Sequence, residues 1–369
     1  MLKICIIYGG NSVEHEISII SANSILNNLN RKNYKISGIF ISKKGEFKEA
    51  KIISSKKGLK FSPTRKDVIF SIGKKNPILV KELADKERKI NVDVFIPMVH
   101  GTGGEDGSIQ GLIKLLDKPY VGSNVTSSAV CIDKIITKRI FQNLGIRTTN
   151  FIEINKYDWK TSESKLNSLV YSKIKIPCFV KAANLGSSVG VYKTKTKKDL
   201  SKNINKAFKF AEKIIVEEAV INPNEIEVSI LGNNKLKVSK PGLVVPSSEF
   251  YDYNAKYIDG KSTIEIPWEK IRKNPSIEKE IKKTAMLAYK SIGCSGMARI
   301  DFLYGETKNT KSKKLYASEI NTIPGFTSIS MYPKLMKNVG ISYEKLLNEL
   351  ILLAIEKFKE EKKLSTKFI

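Results

Sequence analysis

The N-terminal stretch of the chain alternates two short apolar segments with one amphipathic segment. Residues 2–8, LKICIIY, end at Gly9-Gly10, which is typical of a buried strand followed by a turn. Residues 14–29 repeat apolar side chains at helical spacing, and residues 34–41, YKISGIFI, predict a second strand. A strand–helix–strand order usually joins parallel strands, because the helix carries the chain back to the end of the sheet where the first strand began. The chain therefore begins as a parallel sheet, and its predicted fold class is α/β (α+β).

The length and the charge bound the remaining possibilities. A chain of 369 residues with 41% hydrophobic residues is expected to form two or three globular domains. Its net charge of +27 leaves nucleic-acid binding open as an alternative. The basic residues are nearly all Lys and are spread through the chain, without a recognisable nucleic-acid motif. A composition bias is therefore the favoured explanation, and no nucleic-acid partner is predicted.

Cysteine usage and hydropathy indicate the compartment. The four cysteines, Cys5, Cys131, Cys178 and Cys294, are far apart and form no C-x-x-C pair, so a disulfide framework or zinc site is not expected. No apolar run reaches the length of a membrane span, and the first strand does not read as a signal peptide. A cytoplasmic location without a membrane partner is the expectation.

The middle of the chain predicts a change of domain. Residues 43–90 are rich in Lys with scattered Gly and Ser, and they predict a peripheral, partly mobile elaboration on a solvated surface. Residues 133–145 predict a helix with an Asp N-cap that ends at Gly145, and a second domain is expected to begin near residue 133. Residues 341–358 predict a closing amphipathic helix.

A glycine–serine turn is the first candidate site. Residues 176–183 predict a strand, 184–190 (NLGSSVG) a flexible turn, and 191–193 a returning strand. The N–H groups and hydroxyls of such a turn can converge on phosphate oxygens, although a plain hairpin turn is the commoner meaning of this pattern. Lys181 precedes the turn at a buried strand end, where its charge needs an anionic partner.

Two strands near the C-terminus carry oxygen ligands. Arg299 and Asp301 are two residues apart on one predicted strand, and Glu319 and Asn321 are two apart on the next. Residues two apart on a strand face the same side, so these groups are expected to converge. An ion pair on a solvated sheet face is the simpler interpretation. Carboxylate and amide oxygens are also the ligands that Mg²⁺ prefers, usually together with substrate phosphates.

Three loops complete the set of candidate segments. GGNSVEHEIS (9–18) and HGTGGEDGSIQG (100–111) both follow predicted strands of the first sheet, where ligands of parallel sheets bind. Glu14 could hold a cationic group, whereas His15 is interpreted as structural and His100 as equally compatible with either role. FYDYNAKY (250–257) is Tyr-rich and could form a closing lid, although a packed hairpin is the simpler explanation for Phe250.

Taken together, these segments resemble the D-alanine–D-alanine ligases of the ATP-grasp superfamily. The matching stretches also include CIDK, VKAANLGSSVG, IVEEAV, NEIEV, ARIDF and EINTIPGFTSIS, in family order from residue 9 to residue 330. The resemblance implies a three-domain architecture in which ATP is held between the central and C-terminal domains. The expected domains are 1–132, 133–221 and 222–369.

The resemblance also implies a nucleotide site. Lys134 and Lys181 would contact the phosphates of ATP, Lys256 would contact the transferred phosphate, and the 184–190 turn with Ser187 and Ser188 would fold over them. The adenine would be read by Glu217 and the adjacent backbone at Glu218, and the ribose by Glu225. Two Mg²⁺ ions, replaceable by Mn²⁺, would be held by Asp301, Glu319 and Asn321.

A substrate site follows from the same resemblance. Glu14 would hold the ammonium of the first D-alanine with His100 close by, and Arg299 and the Gly325 N–H would face the oxyanion. Ser330, beside Met331, would receive the carboxylate of the second amino acid. Glu14, Ser187 and Tyr257 would link through hydrogen bonds and hold the lid shut.

The implied reaction joins two D-alanine molecules through an acyl phosphate, releasing ADP and phosphate, for peptidoglycan precursor synthesis. The family also suggests a homodimer. The Pro that usually follows the phosphate-contacting Lys is Ala182 here. A related ligase that uses D-serine or D-lactate as the second substrate remains an alternative. The presence of Tyr257 favours a dipeptide over an ester product.

Overall fold

The N-terminal sheet has the predicted parallel core. The computed structural model describes residues 1–73, 78–81, 86–245, 263–272 and 274–365. In it, strands β1 and β2 are parallel, and β1 also pairs in parallel with β7. Helix α1 connects β1 to β2. Their bounds are β1 Leu2–Gly9, α1 His15–Asn28, β2 Tyr34–Ile41 and β7 Val94–Met98.

The Lys-rich segment between β2 and β7 extends this sheet. Its described residues form four antiparallel strands, and the sheet order is β6-β5-β4-β3-β2-β1-β7. Most of these residues are exposed or half-buried, as expected for an elaboration on a solvated surface, but Phe61, Ile78 and Val80 are buried against the sheet's two faces. The intervening Lys and Ser side chains on the outward face hide this alternation in the sequence. The strands are β3 Phe47–Ser55, β4 Gly58–Phe70, β5 Ile78–Lys81 and β6 Glu87–Lys89.

Three short helices lead from the first sheet to the second. The Asp133 carboxylate accepts hydrogen bonds from the N–H groups of Ile135 and Ile136, and Gly145 has a φ of 70° after the helix end. Both observations confirm the predicted capped helix. The helices are α2 Ser108–Leu115, α3 Val125–Ile132 and α4 Lys134–Asn143.

The second sheet has four strands in the order β10-β9-β11-β8. Strand β9 pairs antiparallel with β10, which confirms the predicted hairpin. Two helices, α5 and α6, pack on the sheet and bury residues such as Trp159 and Leu200. The elements are β8 Phe151–Asn155, α5 Lys156–Lys173, β9 Cys178–Ala182, β10 Val191–Thr194, α6 Lys197–Ala207 and β11 Lys213–Glu218.

The third sheet is built around the pairing of β12 with β16, and β16 also pairs with β17. Helix α8 covers one face and buries Ile281, Ala285 and Tyr289. The elements are β12 Ile221–Leu231, β13 Lys237–Val238, β14 Gly242–Val245, β15 Thr263–Glu265, α7 Glu269–Arg272, α8 Pro275–Ile292, β16 Met297–Glu306 and β17 Lys314–Asn321.

The last two helices tie the C-terminal part of the chain to the first sheet. They are α9 Met331–Asn338 and α10 Tyr343–Lys362. Leu346 and Leu350 of α10 share one core with Ile4 of β1 and Ile25 of α1. Among the described residues, no helix combines the length and the apolar character needed to cross a bilayer.

Candidate active site

Two adjoining cavities lie where the three sheets meet. A cleft of about 420 Å³, here called the large cleft, opens between the second and third sheets. A cavity of about 90 Å³, here called the small pocket, lies between the third sheet and the loops of the first. Both are lined by Lys134, Gly186, Ser187, Glu227 and Glu319. The two cavities therefore adjoin along these shared residues.

The glycine–serine turn forms the wall between the two cavities. Ser187 and Ser188 have φ angles of 49° and 60°, so this turn takes the left-handed conformation at two successive serines. The Lys134 ammonium donates a hydrogen bond of 2.6 Å to the carbonyl oxygen of Leu185 and lies 3.7 Å from the Glu319 carboxylate. The turn is therefore attached to the start of α4 and faces the end of β17.

Glu217 on β11 is surrounded by two lysines. Its carboxylate lies 2.8 Å from the Lys138 ammonium, forms an ion pair with Lys181, and accepts a hydrogen bond of 2.9 Å from the Thr149 hydroxyl. Burial alone would raise the pKa of Glu217, but the charges of both lysines lower it well below its usual range. Burial lowers the pKa of Lys138, despite the neighbouring Glu217. A buried carboxylate is thus held ionised at the back of the large cleft.

Lys138 is a site residue that the sequence reasoning did not select. It follows Lys134 by four positions on α4, so both side chains lie on the same face of the helix. This four-residue spacing from Lys134 is the sequence feature that could have indicated Lys138. Glu218, the next residue after Glu217, lines the large cleft, but its carboxylate accepts hydrogen bonds from the Asn150 N–H and the Asn309 amide. Glu225 of β12 also lines the large cleft.

Arg299 and Asp301 converge with Glu319 and Asn321 as predicted. In the register of β16 and β17, Arg299 is opposite Asn321 and Asp301 is opposite Glu319. The Asn321 side-chain oxygen accepts a hydrogen bond from the N–H of Ile323, which fixes the amide at the strand end. The adjacency rests on the two-residue period of a strand, and the register supplies the pairing that the sequence alone could not.

Arg299 is held by two carboxylates. Its guanidinium donates to both Asp301 oxygens at 2.7 and 2.6 Å, and Nε lies 3.1 Å from a Glu227 oxygen. Burial would lower the pKa of Arg299, but the charges of Asp301 and Glu227 raise it well above its usual value. Glu227, from β12, is a second residue that the sequence reasoning did not select. Its position two residues after Glu225, on the same face of β12, was the available signal.

The oxygen atoms at this edge are of the type that a hard divalent cation prefers. Among the described residues, no group of three or more His, Cys, Asp or Glu side chains is arranged to hold a metal ion. The predicted set contains two carboxylates and one amide, and a nucleotide would have to supply further oxygens. Asp301 and Glu319 are register partners whose carboxylates face the large cleft, and this donor type suits Mg²⁺.

Glu14 and Ser187 connect the first sheet to the glycine–serine turn. The Ser187 hydroxyl donates a short hydrogen bond to the Glu14 carboxylate, and both residues line the small pocket. An added Cβ at Gly186 would lie 3.1 Å from a Glu14 oxygen, and one at Gly101 would lie 2.8 Å from it. The carboxylate therefore packs closely between two glycine backbones. Tyr257, the third member of the predicted link, and Lys256 lie outside the described residues.

The two histidines hold loops in place. His15 Nδ1 lies 2.7 Å from the carbonyl oxygen of Gly10, which agrees with its structural interpretation. His100 lies 3.0 Å from the Ser21 hydroxyl and 3.1 Å from the carbonyl oxygen of Ile323, through different ring nitrogens. Glu105, 3.7 Å from His100, lines the small pocket and was not selected from the sequence.

The far wall of the small pocket is the start of α9. The Ser330 hydroxyl accepts a hydrogen bond of 3.0 Å from the N–H of Thr327 and lies 2.8 Å from the Thr327 hydroxyl. Gly325 is close to it, since an added Cβ would lie 2.7 Å from Ser330 Oγ. Gly325, Ser330 and Met331 all line the small pocket, at the N-terminal end of a helix that favours negative charge.

Two family models match the two halves of the chain. Residues 3–123 match the family model of the D-ala D-ala ligase N-terminus, and residues 140–352 match that of the D-ala D-ala ligase C-terminus. The chain belongs to the D-alanine–D-alanine ligase family. This confirms the resemblance that the motifs indicated.

Individual family members align over nearly their whole length. A D-alanine–D-alanine ligase of Caldicellulosiruptor bescii is 42% identical over 361 residues, 98% of this chain and 97% of the relative. The solved structure of the D-alanine-D-alanine ligase from Coxiella burnetii superposes with a TM-score of 0.80 at 34% identity, covering 98% of this chain and 96% of that one. The mixed α/β architecture is therefore the ATP-grasp fold that the sequence predicted.

A relative of different specificity superposes equally well. The D-Ala:D-Ser ligase from Enterococcus faecalis gives a TM-score of 0.80 at 32% identity, covering 96% of this chain and 99% of that one. Membership of the D-alanine–D-alanine ligase family and its fold therefore do not by themselves select the second amino acid.

Proposed function

We propose that this chain catalyses the ATP-dependent ligation of two D-alanine molecules to D-alanyl-D-alanine, with ADP and phosphate as the other products. The observation that carries the proposal is that the large cleft and the small pocket adjoin, with Lys134, Ser187 and Glu319 lining both. A phosphoryl donor in the cleft and a carboxylate acceptor in the pocket would meet at these residues. Family membership supports the same reaction.

The large cleft is the proposed ATP site. Its size lies within the usual range of small-molecule sites. Lys134 and Lys181 would contact the phosphates, with Lys256 contacting the transferred group, and the turn with Ser187 and Ser188 would close over them. Glu217 and the backbone at Glu218 would face the adenine, and Glu225 the ribose.

Asp301, Glu319 and Asn321 would hold Mg²⁺, or Mn²⁺ in its place. The ions would neutralise phosphate charge during transfer. The ion pair between Arg299 and Asp301 bears on this proposal, because a carboxylate that binds a cation gives up part of its contact with the guanidinium. Glu227 would then remain as the counter-ion that keeps Arg299 in place. Arg299 would be free to stabilise the negative charge that develops on the substrate.

The small pocket is the proposed D-alanine site. Glu14 would bind the ammonium of the first D-alanine, with His100 behind it. Arg299 and the Gly325 N–H would face the oxyanion. Ser330, with Met331, would bind the carboxylate of the second D-alanine at the start of α9.

The order of steps follows from charge. A carboxylate is a poor electrophile, and phosphorylation gives it a good leaving group. The amine of the second D-alanine then attacks the acyl phosphate, and phosphate leaves from a tetrahedral intermediate. The bond between Glu14 and Ser187, extended by Tyr257, would keep the site closed, since water would hydrolyse the acyl phosphate.

The same proposal includes the cellular context. The dipeptide would serve peptidoglycan precursor synthesis in the cytoplasm, and the enzyme would act as a homodimer. The proposed domains are 1–132, 133–221 and 222–369, and the change of sheet between β11 and β12 supports a boundary near residue 221.

The second amino acid is open to a specific alternative. The likeness to a D-Ala:D-Ser ligase favours D-serine as the next candidate, and D-lactate follows it. The decisive experiment measures phosphate release with ATP, Mg²⁺ and either D-alanine or L-alanine, and identifies the product by mass. D-alanyl-D-alanine formed from D-alanine alone supports the proposal.

Two other outcomes would contradict this assignment. Turnover only after D-serine or D-lactate is added would assign the alternative specificity. Absence of turnover, together with DNA binding that weakens with salt and survives the loss of Glu319 or Asp301, would favour a basic nucleic-acid-binding protein.

A further inference from the structure

Two buried thiols meet behind the wall of the small pocket. Cys131, near the end of α3, and Cys294, between α8 and β16, are 163 residues apart in sequence, yet their Sγ atoms are 3.9 Å apart. Both side chains are buried, and all four cysteines are free thiols. A disulfide needs a separation of about 2.05 Å, so these sulfurs are within reach of each other after a small rearrangement.

One of the two thiols reaches the site already described. Cys131 lines the small pocket, together with Glu14, Arg299 and Ser330. A small uncharged oxidant that enters this pocket would approach the pair from the Cys131 side. The pair is therefore not sealed in the core, although each residue is more than nine-tenths buried.

The other thiol lies in a polar, positively charged setting. The Lys357 ammonium of α10 donates a hydrogen bond of 2.6 Å to the Ser295 hydroxyl, one residue after Cys294. The hydrogen bond with Cys131, a contact with Ser123 and the charge of Lys357 lower the pKa of Cys294 although burial opposes them, whereas the hydrogen bond with Cys294 and burial raise the pKa of Cys131. The thiolate form is the nucleophile in thiol chemistry. The positive charge of Lys357 near Cys294 favours this sulfur as the nucleophile.

We propose that Cys131 and Cys294 form a redox-modification site that a peroxide converts into a disulfide. The Cys294 thiolate attacks one oxygen of hydrogen peroxide, the O–O bond breaks, and the departing hydroxide takes a proton to become water. Cys294 is then a sulfenic acid. The Cys131 sulfur attacks it, the S–S bond forms, the S–O bond breaks, and the Cys131 proton leaves with the hydroxide as a second water. The two thiols lose two electrons and the peroxide gains two.

The disulfide would disturb the junction of α3 and α4. Closure brings the two sulfur atoms nearly 2 Å closer, and Cys131 is only three residues before Lys134. Lys134 holds the glycine–serine turn through Leu185 and approaches Glu319. A misplacement of about 1 Å can cost about 10²-fold in rate. This rate effect rests on the proposed ligase function, whereas the formation of the bond does not.

The experiment uses a Cys5→Ala/Cys178→Ala variant, which keeps only the pair. After treatment with hydrogen peroxide, intact mass and a non-reducing peptide map should show the loss of two hydrogen atoms and a link between the peptides of Cys131 and Cys294. Phosphate release with D-alanine should fall about 10²-fold and return after dithiothreitol. Adding Cys294→Ser to this variant should abolish both the peptide link and the loss of rate. The peptide map of the wild-type chain gives the same answer should the double variant fold poorly.

Each remaining outcome overturns part of the inference. Sulfinic acid or unmodified thiols at these positions would show that the pair is not a disulfide site. A disulfide that forms without a change in rate would show that the bond is not coupled to the active site. If the untreated protein shows no turnover, the ligase proposal is contradicted. The mass measurement still tests whether Cys131 and Cys294 form a disulfide.

Discussion

Lys138 and Glu217 form an ion pair of 2.8 Å inside the wall of the large cleft, with side chains 3% and 5% exposed. The pair joins α4 to β11, and Glu217 also contacts Lys181. Removing one partner of a buried ion pair costs free energy of folding, because the remaining charge has lost its hydration and is left without a counter-ion. The geometry makes Lys138 a positioning residue for Glu217.

Lys138→Met is expected to lower the free energy of unfolding by about 3 kcal/mol, because it removes one partner of a buried pair. Glu217 would then be held by Lys181 and the Thr149 hydroxyl with one cation fewer, so the KM for ATP should also rise. Urea unfolding and phosphate-release kinetics measure the two effects. Lys156→Met is the matched control: its pair with Glu212 is exposed, and its loss should cost at most about 1 kcal/mol. Equal losses for both variants would contradict a structural role for the buried pair.

Acid stability should depend on Glu217. Its pKa is lower in the folded chain than in the unfolded one, where it is about 4.3. Below that value the unfolded state binds a proton that the folded state does not, so this contribution to stability is present above about pH 4 and is lost as the pH falls. Urea midpoints measured from pH 6 to pH 3 should therefore fall less steeply for Glu217→Gln than for the wild type. Parallel curves would show that another carboxylate dominates acid unfolding.

The sequence predicted the hairpin, the capped helix α4 and the adjacency of Asp301 with Glu319, because each follows from local chemistry or from the two-residue period of a strand. The family resemblance supplied the order of domains. The extension by β3–β6 was missed, because exposed Lys and Ser side chains obscure a half-buried alternation.

Contacts between distant segments could not be predicted in the same way. Lys138 of α4 meets Glu217 of β11, Arg299 of β16 meets Glu227 of the neighbouring strand β12, and Cys131 of α3 meets Cys294 just before β16. Such pairs depend on which strands become neighbours and on how helices pack against the sheets, and no spacing in the sequence encodes either.

Asp301→Asn is expected to reduce phosphate release by about 10²-fold or more and to raise the Mg²⁺ concentration needed for half-maximal rate. The amide keeps the shape of the side chain but loses the charge that a cation requires. Glu306→Gln, farther along β16 and outside both cavity linings, is the control and should leave both quantities unchanged. An unchanged Mg²⁺ requirement in Asp301→Asn would count against Asp301 as a metal ligand.

Ser187→Gly is expected to weaken D-alanine use more than ATP use. The change removes the hydroxyl that bonds Glu14, and glycine accepts the φ of 49° without strain. Loss of a hydrogen bond to a charged group costs about 1.5–3 kcal/mol, so kcat/KM for D-alanine should fall at least about tenfold. Ser188→Gly, with a φ of 60°, tests the same backbone change at the neighbouring position. Identical effects of the two variants on D-alanine would rule out a specific role for the link to Glu14.

Gly325→Ala tests the acceptor end of the small pocket. The new methyl group would lie 2.7 Å from Ser330 Oγ, so the Ser330 side chain must turn away from its hydrogen bond with Thr327. With that hydroxyl displaced, the KM for the second D-alanine should rise about tenfold, the equivalent of roughly one hydrogen bond, while the KM for ATP stays unchanged. Steady-state kinetics with D-alanine and ATP varied in turn would measure the two KM values separately.

Gly111→Ala, whose Cβ would meet only Val125 at 3.9 Å inside α2, is the matched control and should stabilise the chain by about 0.5–1 kcal/mol without changing either KM. A tenfold rise in the KM for ATP in Gly325→Ala would instead indicate that the methyl group displaces β17, and the assignment of Ser330 to the acceptor would lose its support.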